Sequence, residues 1–187
     1  KGLIEYAKAN ADTVTVANAG IGAASHLCGM MFMSAIETPL VTVPYKGTGP
    51  AMTDLLGGQV DIMCDQTTNT TKQIQGGTIK AYAVTSPARL DVLKDVPTTK
   101  EGGLEGMEVG IWHGVYAPKG TPAEVTERLS KSLQAALKDP NVVARFAELG
   151  TEPSPEADAT PAALKAKLEG EIARWKPIIE AAGQYAD

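Results

Sequence analysis

The fold of this protein is decided by a stretch that reads TVTVANAGIGAASHL, residues 13–27. It opens with β-branched residues that predict a strand, continues with a glycine loop and then takes on a helical pattern. The first N–H groups of a helix have no partner within the helix, and they carry a partial positive charge. Small residues ahead of them let a carboxylate or phosphate approach the backbone. We therefore predict an anion-binding site at this loop.

The residues on either side extend the same alternation of strands and helices. We predict strands near 13–17, 40–43, 59–63, 79–85 and 107–116, and helices near 1–10, 23–37, 50–56 and 66–75. Such alternation, with short glycine-bearing connections, is typical of βαβ units and of a mainly parallel sheet covered on both faces. Paired glycines at 57–58 and 76–77 are expected to end two of the helices. The predicted fold class is α/β.

After residue 117 the pattern becomes helical. Thr121-Pro122, Asp139-Pro140 and Thr160-Pro161 each combine an N-cap residue with a proline suited to the first helical position. Apolar residues recur at helical spacing in two of these helices, at Val125, Leu129, Leu133 and Leu137 and at Leu164, Leu168, Ile172, Trp175 and Ile179. We call these two sets the apolar stripes, and they require a partner surface.

Composition excludes several classes of function. The chain has 187 residues, 43% of them hydrophobic, which is enough to close a core. Its net charge of −5, without any run dense in lysine or arginine, disfavours nucleic-acid binding. His26 and His113 form no metal-binding pair, and we expect Cys28 and Cys64 to be buried, inert thiols. We predict no metal and no cofactor.

The loop at residues 20–25 nearly matches the dinucleotide-binding fingerprint. It departs at Ser25, and the next strand ends in Pro44-Tyr45-Lys46, where a ribose-binding acid would stand. A simpler anion site and a turn needed only for packing remain as alternatives. Ser25 and His26 are helix neighbours that point about 100° apart, which disfavours a catalytic triad. We expect His26 to be buried and to fasten the start of the helix to the core.

Two further loops are expected to lie beside the first one, because the carboxyl ends of parallel strands meet at one edge of a sheet. Residues 44–51 form the second loop, in which Lys46 either contacts the anion or is simply solvated. Asp65 follows the third strand and either caps a helix or orients a ligand hydroxyl, amine or water. The candidate ligand-binding residues are Ala19, Gly20, Gly22, Ala23, Ala24, Tyr45, Lys46, Gly47 and Asp65.

Several motifs, taken in order, resemble one known family across essentially the whole chain. They are AGIGAASHLCG at 19–29, VPYKGTGPAMTDLLGGQVD at 43–61, AVTS at 83–86 with Arg89, VPT at 96–98 and APKGTP at 117–122. In this order and spacing they are similar to the solute-binding proteins of tripartite tricarboxylate transporters, the Bug-type periplasmic receptors. Ala23, Ala24 and Cys64 depart from residues often found in that family, which bears on the substrate and not on the fold.

The resemblance implies a periplasmic receptor of the type II binding-protein class. Two lobes would close on a small carboxylate or dicarboxylate, held through loop amides and bridging waters, and deliver it to a membrane permease without any catalysis. Residues 1–114 would form the second, ligand-binding lobe, and residues 115–187 would be helices that return to the first lobe. We expect the chain to lack the signal peptide and the early part of that first lobe.

If most of the first lobe is missing, the apolar stripes have lost their usual cover. We therefore expect the chain either to be a fragment or to associate with a second copy through its C-terminal helices. Two other functions stay open from the residues alone. One is an α/β enzyme acting on a small anion with Asp65 as base, and the other is a protein-interaction module.

Overall fold

A three-stranded parallel sheet organises the first part of the computed structural model, which describes residues 1–183. The strands are β1 (Thr15–Asn18), β2 (Val41–Pro44) and β3 (Ile62–Met63), in the spatial order β2-β1-β3. The helices around them are α1 (Gly2–Ala9), α2 (Ala24–Ala35), α3 (Thr48–Leu56) and α4 (Thr67–Gln75). The predicted α/β class and the order of these elements are confirmed.

The central strand β1 is buried on both of its faces. Thr15 pairs with Val41 of β2, and Ala17 pairs with both Val43 of β2 and Met63 of β3. Because side chains alternate along a strand, Val16 and Ala17 point to opposite faces. Val16 packs in a cluster with residues of α1 and α2, and Ala17 packs with Ala51 of α3. Helices therefore cover both faces of the sheet, as predicted.

Two of the predicted strands do not form. Of residues 79–85, only Val84 makes a bridge, to Thr98, and residues 107–116 contain no strand. The second segment is instead attached by separate hydrogen bonds: Val109 N donates to Thr85 O at 3.2 Å, and the hydroxyls of Thr85 and Thr99 donate to Val109 O and Met107 O at 2.7 and 2.8 Å. A strand exists only when a neighbour continues its hydrogen-bond ladder. Because β3 is only two residues long, the edge of the sheet has few backbone groups with which residues 79–83 could form hydrogen bonds.

The helix ends follow the predicted chemistry with one exception. Asp139 and Thr160 cap α6 (Pro140–Glu148) and α7 (Pro161–Ala182) through their side chains, with proline next in the chain. Gly58 and Gly77 have positive φ values just beyond α3 and α4. The prediction was wrong for Thr121, because α5 (Ala123–Leu137) begins later and the Thr121 hydroxyl donates to Pro118 O instead.

The three C-terminal helices join the α/β lobe at few points. The hydroxyls of Thr67 and Thr71 in α4 donate to the carbonyl oxygens of Gly150 and Leu149, at 3.2 and 3.3 Å, just after α6. In α7, Arg174 donates to the carbonyl oxygen of Glu108 at 2.7 Å. Between these joints lies an open cavity of about 2030 Å³. It is lined from both sides, by residues that include Asp65, Thr85, Trp112, Leu133 and Leu164.

Within the described residues, the apolar stripes are only partly covered. Leu129 and Leu133 of α5 are 47% and 42% exposed, and Ile172 of α7 is 57% exposed. The absence of full cover over the stripes agrees with the expectation that they need another surface.

Of the helices over residues 1–183, none is long and apolar enough to span a membrane.

Candidate functional site

The loop between β1 and α2 is held in shape by three buried side chains. Asn18 Oδ1 accepts from Gly20 N at 2.9 Å, and Ser25 Oγ accepts from Ala19 N at 2.9 Å. His26 Nδ1 accepts from Gly22 N at 3.2 Å. Asn18 and His26 are 1% and 2% exposed, so these contacts are shielded from water. The prediction of a buried His26 that fastens the helix start is confirmed.

These contacts change which amides are available to an anion. Ala19, Gly20 and Gly22 already donate to side chains, and Ala23 N donates to Gly20 O at 3.1 Å. In the part of the chain that the structure describes, the N–H groups of Ala24 and Ser25 donate to no acceptor, as expected in the first turn of a helix. The loop therefore shapes the site, while the start of α2 offers the free donors.

The second loop, between β2 and α3, lies against the first. Tyr45 N donates to Asn18 O at 2.9 Å, and Gly47 N donates to Ala19 O at 3.1 Å. Gly20 has φ +125, and a Cβ there would lie 3.3 Å from Tyr45 O, so the close approach of the loops needs glycine. The predicted side-by-side placement of these two loops is what the structure has.

Tyr45 and Lys46 differ in whether the polar group of the side chain already has a partner. The Tyr45 hydroxyl donates to Asp54 Oδ2 of α3 at 2.7 Å, and this bond to a carboxylate is the main reason that the pKa of Tyr45 is raised. Its hydroxyl is thus engaged in fixing the loop to α3. Lys46 is exposed and, within residues 1–183, forms no ion pair. Its ammonium group lies on the segment that leads into the positively polarised start of α3.

Asp65 follows β3 at the same edge of the sheet, two residues beyond the pairing of Met63 with Ala17. Its Oδ1 accepts from Gln66 N at 2.8 Å and from Asn69 Nδ2 at 3.2 Å. Its Oδ2 is buried and has no partner among the described residues. Burial raises the pKa of Asp65, and the two hydrogen bonds oppose that shift. Asp65 is not the N-cap of α4, because that position belongs to Gln66.

The two cysteines are joined, which corrects the expectation of inert thiols. Cys28 of α2 and Cys64, the residue before Asp65, form a disulfide with a Cα–Cα distance of 6.0 Å. Their separation of 36 residues carries no metal or redox motif, so the sequence pattern gave no signal for the pairing. The bond links the second turn of α2 to the segment that carries Asp65.

Sequence reasoning also missed the role of Asn18. An asparagine between a strand and a glycine is a common turn former, because its side chain hydrogen-bonds the backbone two residues on. Asn18 does this through Gly20 N. Its Nδ2 is buried and has no partner among the described residues. Together, two adjacent helix starts, a lysine and an ordered loop make an arrangement suited to binding a small anion.

Solved structures with this fold are periplasmic binding proteins. The chain superposes on that of the periplasmic binding protein BugD with a TM-score of 0.91 and 56% identity, over 97% of this chain and 60% of that one. It superposes on MatC from Rhodopseudomonas palustris, solved with bound malate, with a TM-score of 0.90 and 34% identity. That match covers 95% of this chain and 60% of MatC. The fold is therefore that of a periplasmic binding protein.

A family match specifies the class further. The model described as "Tripartite tricarboxylate transporter family receptor" matches residues 1–184. A curated relative, a UPF0065 protein in the TAR-I ttuE-ttuC' intergenic region of Agrobacterium vitis, is 54% identical over 182 residues. The alignment covers 97% of this chain and 53% of that relative, so the chain spans about half of the relative's length. The chain belongs to the tripartite tricarboxylate transporter receptor family, whose members are solute-binding proteins.

Proposed function

We propose that this chain binds a small organic carboxylate, with dicarboxylates as the favoured class, as part of a periplasmic receptor. The observation that carries the proposal is the pairing of two loops that lead into the starts of α2 and α3. Both helix starts present donors and partial positive charge toward one edge of the sheet. Of the candidate ligand-binding residues, Ala19, Gly20, Gly22 and Ala23 would shape the site, because their N–H groups already donate within the chain. The others would line it, namely Ala24, Tyr45, Lys46, Gly47 and Asp65.

The roles of these residues follow from which of their groups are free. The N–H groups of Ala24 and Ser25 would donate to a ligand carboxylate, and Lys46 would add a cation. Tyr45 would contribute mainly through its ring and backbone, because its hydroxyl is bound to Asp54. The bound malate of MatC supports a four-carbon dicarboxylate as the first ligand to test.

In this proposal Asp65 orients the ligand and performs no chemistry. One of its oxygens is used by its own segment, and the other, which has no partner among the described residues, would accept from a ligand hydroxyl or a bound water. An enzyme with Asp65 as base would show turnover of a small anion, and Asp65→Asn would abolish the rate while binding persists. A receptor would release its ligand unchanged, which NMR of the recovered ligand would establish.

The wider role of the receptor is part of the same proposal. After binding in the periplasm, the ligand would be passed to the membrane permease subunits of a tripartite transporter. Residues 1–114 would be one lobe of the receptor, and residues 115–187 would belong mainly to another. The last four residues of that segment lie outside the described residues. Closure of the lobes on a ligand that contacts both would couple binding to a change of shape.

A calorimetric titration tests ligand capture. We expect the purified protein to bind L-malate or succinate and to be stabilised by it against heat, by an amount that grows with ligand concentration. Citrate, acetate and an uncharged diamide of succinic acid serve as comparisons of size and charge. If none of the carboxylates binds or raises the unfolding temperature, the proposal is wrong.

Self-association is a separate part of the proposal, based on the exposed apolar stripes. We propose that a second copy covers the α5 stripe, where Leu129 and Leu133 are nearly half exposed. Sedimentation equilibrium is expected to show a dimer that Leu129→Glu converts to a monomer. Glu127→Gln, on the same helix but away from the stripe, is the matched control. A monomer at all concentrations would contradict this part alone.

A further inference from the structure

The Cys28–Cys64 disulfide joins the two elements that supply the proposed site. Cys28 lies four residues after Ala24, so it is on the same face of α2, one turn from the free N–H groups. Cys64 immediately precedes Asp65 and lines the large cavity. The disulfide thus fixes the distance between a cluster of anion-binding donors and a carboxylate.

Little else ties the Asp65 side chain to α2. The ladder between β3 and β1 ends at Met63, so Cys64 and Asp65 lie beyond it. The carboxylate of Asp65 is bonded to Gln66 and Asn69, so neither of its hydrogen bonds reaches α2. Helix α4 itself is held to the C-terminal helices through Thr67 and Thr71. A change in the position of residue 64 would therefore move the Asp65 carboxylate relative to α2.

An untethered Asp65 would compete with the ligand. A carboxylate near the start of a helix is attracted to its free N–H groups and its partial positive charge, and this attraction does not distinguish a side chain from a ligand. In the disulfide-bonded structure, Asp65 Oδ2 is buried and has no partner among the described residues. Release of Cys64 would allow the carboxylate to reach the donors at Ala24 and Ser25 and to repel an incoming anion.

We propose that the Cys28–Cys64 disulfide is a positioning element that keeps Asp65 from occupying the α2 donors, so that reduction weakens carboxylate binding through Asp65. The inference rests on the proposed function for its ligand. Cys28 and Cys64 act through Asp65, and neither sulfur needs to touch the ligand.

A mutant cycle tests the inference with L-malate as the probe. The disulfide-free variant Cys28→Ala/Cys64→Ala is expected to bind malate at least tenfold more weakly than the oxidised protein. In the Asp65→Asn background, where any ligand contact of Asp65 is already removed, the same two cysteine changes are expected to alter malate affinity less than threefold. A disulfide with only a structural role would give the same loss with or without Asp65, and that result would overturn the inference.

Two controls separate positioning from loss of stability. Val14→Ala removes buried volume at the opposite end of β1, and it is expected to lower the unfolding temperature while malate affinity stays unchanged. Circular dichroism at the titration temperature verifies that each variant is folded. Alkylation of both cysteines in the native, unreduced protein would show that the bond does not form, and would also overturn the inference.

A readout without ligand distinguishes this inference from the proposed function. Reduction is expected to speed amide hydrogen exchange at residues 64–69 and to leave α7 unchanged. Unchanged exchange at 64–69 would count against the positioning role. If neither malate nor succinate binds the oxidised protein, the proposed function fails, and the exchange comparison still decides whether the disulfide fixes the Asp65 segment.

Discussion

Three small polar side chains order the candidate site before any ligand arrives. Asn18, Ser25 and His26 each accept a hydrogen bond from a loop N–H group, and all three are buried. A buried N–H without a partner costs about 1–3 kcal/mol, so these contacts favour one loop conformation. A site ordered in advance binds without the entropic cost of fixing its loop. The donors left over at the start of α2 are therefore already in place.

The positive charge of Lys46 is expected to contribute modestly to ligand affinity. Lys46→Ala is expected to weaken dicarboxylate binding about two- to fivefold, because an exposed charge contributes roughly 0.5–1 kcal/mol. The loss should shrink in 1 M salt, which screens the interaction. Lys131→Ala, an exposed lysine of α5, is the matched control and should leave the dissociation constant unchanged. Equal affinities for wild type and Lys46→Ala in low salt would remove Lys46 from the site.

Among the elements, the turn that follows residue 85 depends on one ion pair. Arg89 donates through Nε and Nη2 to Glu101 and through Nη1 to Lys94 O. Glu101 in turn accepts from Thr98 N at 2.7 Å. These bonds hold the turn against the bridge between Val84 and Thr98. A bidentate pair of this kind supports an irregular segment that has no ladder of its own.

The ion pair makes stability depend on pH. The hydrogen bond from Arg89 is the largest cause that lowers the pKa of Glu101 from 4.5 to about 2. A lowered pKa means that the ionised form stabilises the fold above pH 4.5, and that this contribution is lost as the pH falls toward 2. We expect the urea midpoint of the wild type to fall more between pH 6 and pH 3 than that of Glu101→Gln. Parallel curves for the two proteins would contradict the assignment.

The disulfide links two elements that lie far apart in sequence, and its loss should lower stability. Closing a loop of 36 residues is expected to contribute about 4 kcal/mol in the chain-entropy account. Reduction, or the double change Cys28→Ala/Cys64→Ala, should therefore lower the midpoint of guanidinium unfolding. The dependence of the unfolding free energy on guanidinium concentration should be compared between the two proteins, because it reports the surface exposed on unfolding. An unchanged midpoint on complete reduction would contradict this expectation.

At the scale of the whole molecule, the C-terminal helices meet the α/β lobe through a close contact at Gly150. Its φ is +72, and a Cβ there would lie 2.9 Å from Val92 Cγ2 and 3.2 Å from Thr71 Oγ1. The same residue accepts the hydroxyl hydrogen bond of Thr67. The joint therefore needs a residue without a side chain, and it places the helical segment beside the start of α4, near Asp65.

Substitutions at two glycines test this joint. Gly150→Ala should destabilise the protein by about 1–3 kcal/mol, because the new methyl group clashes and the positive φ disfavours alanine. Gly170→Ala is the matched control: it lies within α7, where a Cβ meets nothing within 4 Å, and alanine there should stabilise by up to about 1 kcal/mol. Urea unfolding measures both. Equal effects of the two substitutions would show that the joint is not tightly packed.

The local elements were largely predictable, whereas the long-range pairings were not. Strand β1 and helices α1 to α4 follow from β-branched residues, apolar spacing and glycine stops, all of which act over a few residues. The apolar residues at 79–85 and 107–116 look equally strand-like, but strand formation depends on a neighbouring ladder that local pattern does not report. The pairing of Cys28 with Cys64 was unpredictable for the same reason, because it requires two segments that are distant in sequence to meet.

The amino-acid pattern alone is sufficient for the α/β class and for the placement of two glycine loops at one sheet edge, and it is the basis for proposing an anion as the ligand. These conclusions depend on backbone propensities and on the polarity of helix starts, which are local properties. Only the tertiary structure shows that the N–H groups of Ala19, Gly20 and Gly22 donate hydrogen bonds to buried side chains. Among the described residues of this loop and helix, the N–H groups that remain free are those at the start of α2. The disulfide between α2 and the Asp65 segment was likewise visible only in the tertiary structure, because a disulfide forms where folding brings two cysteines within reach.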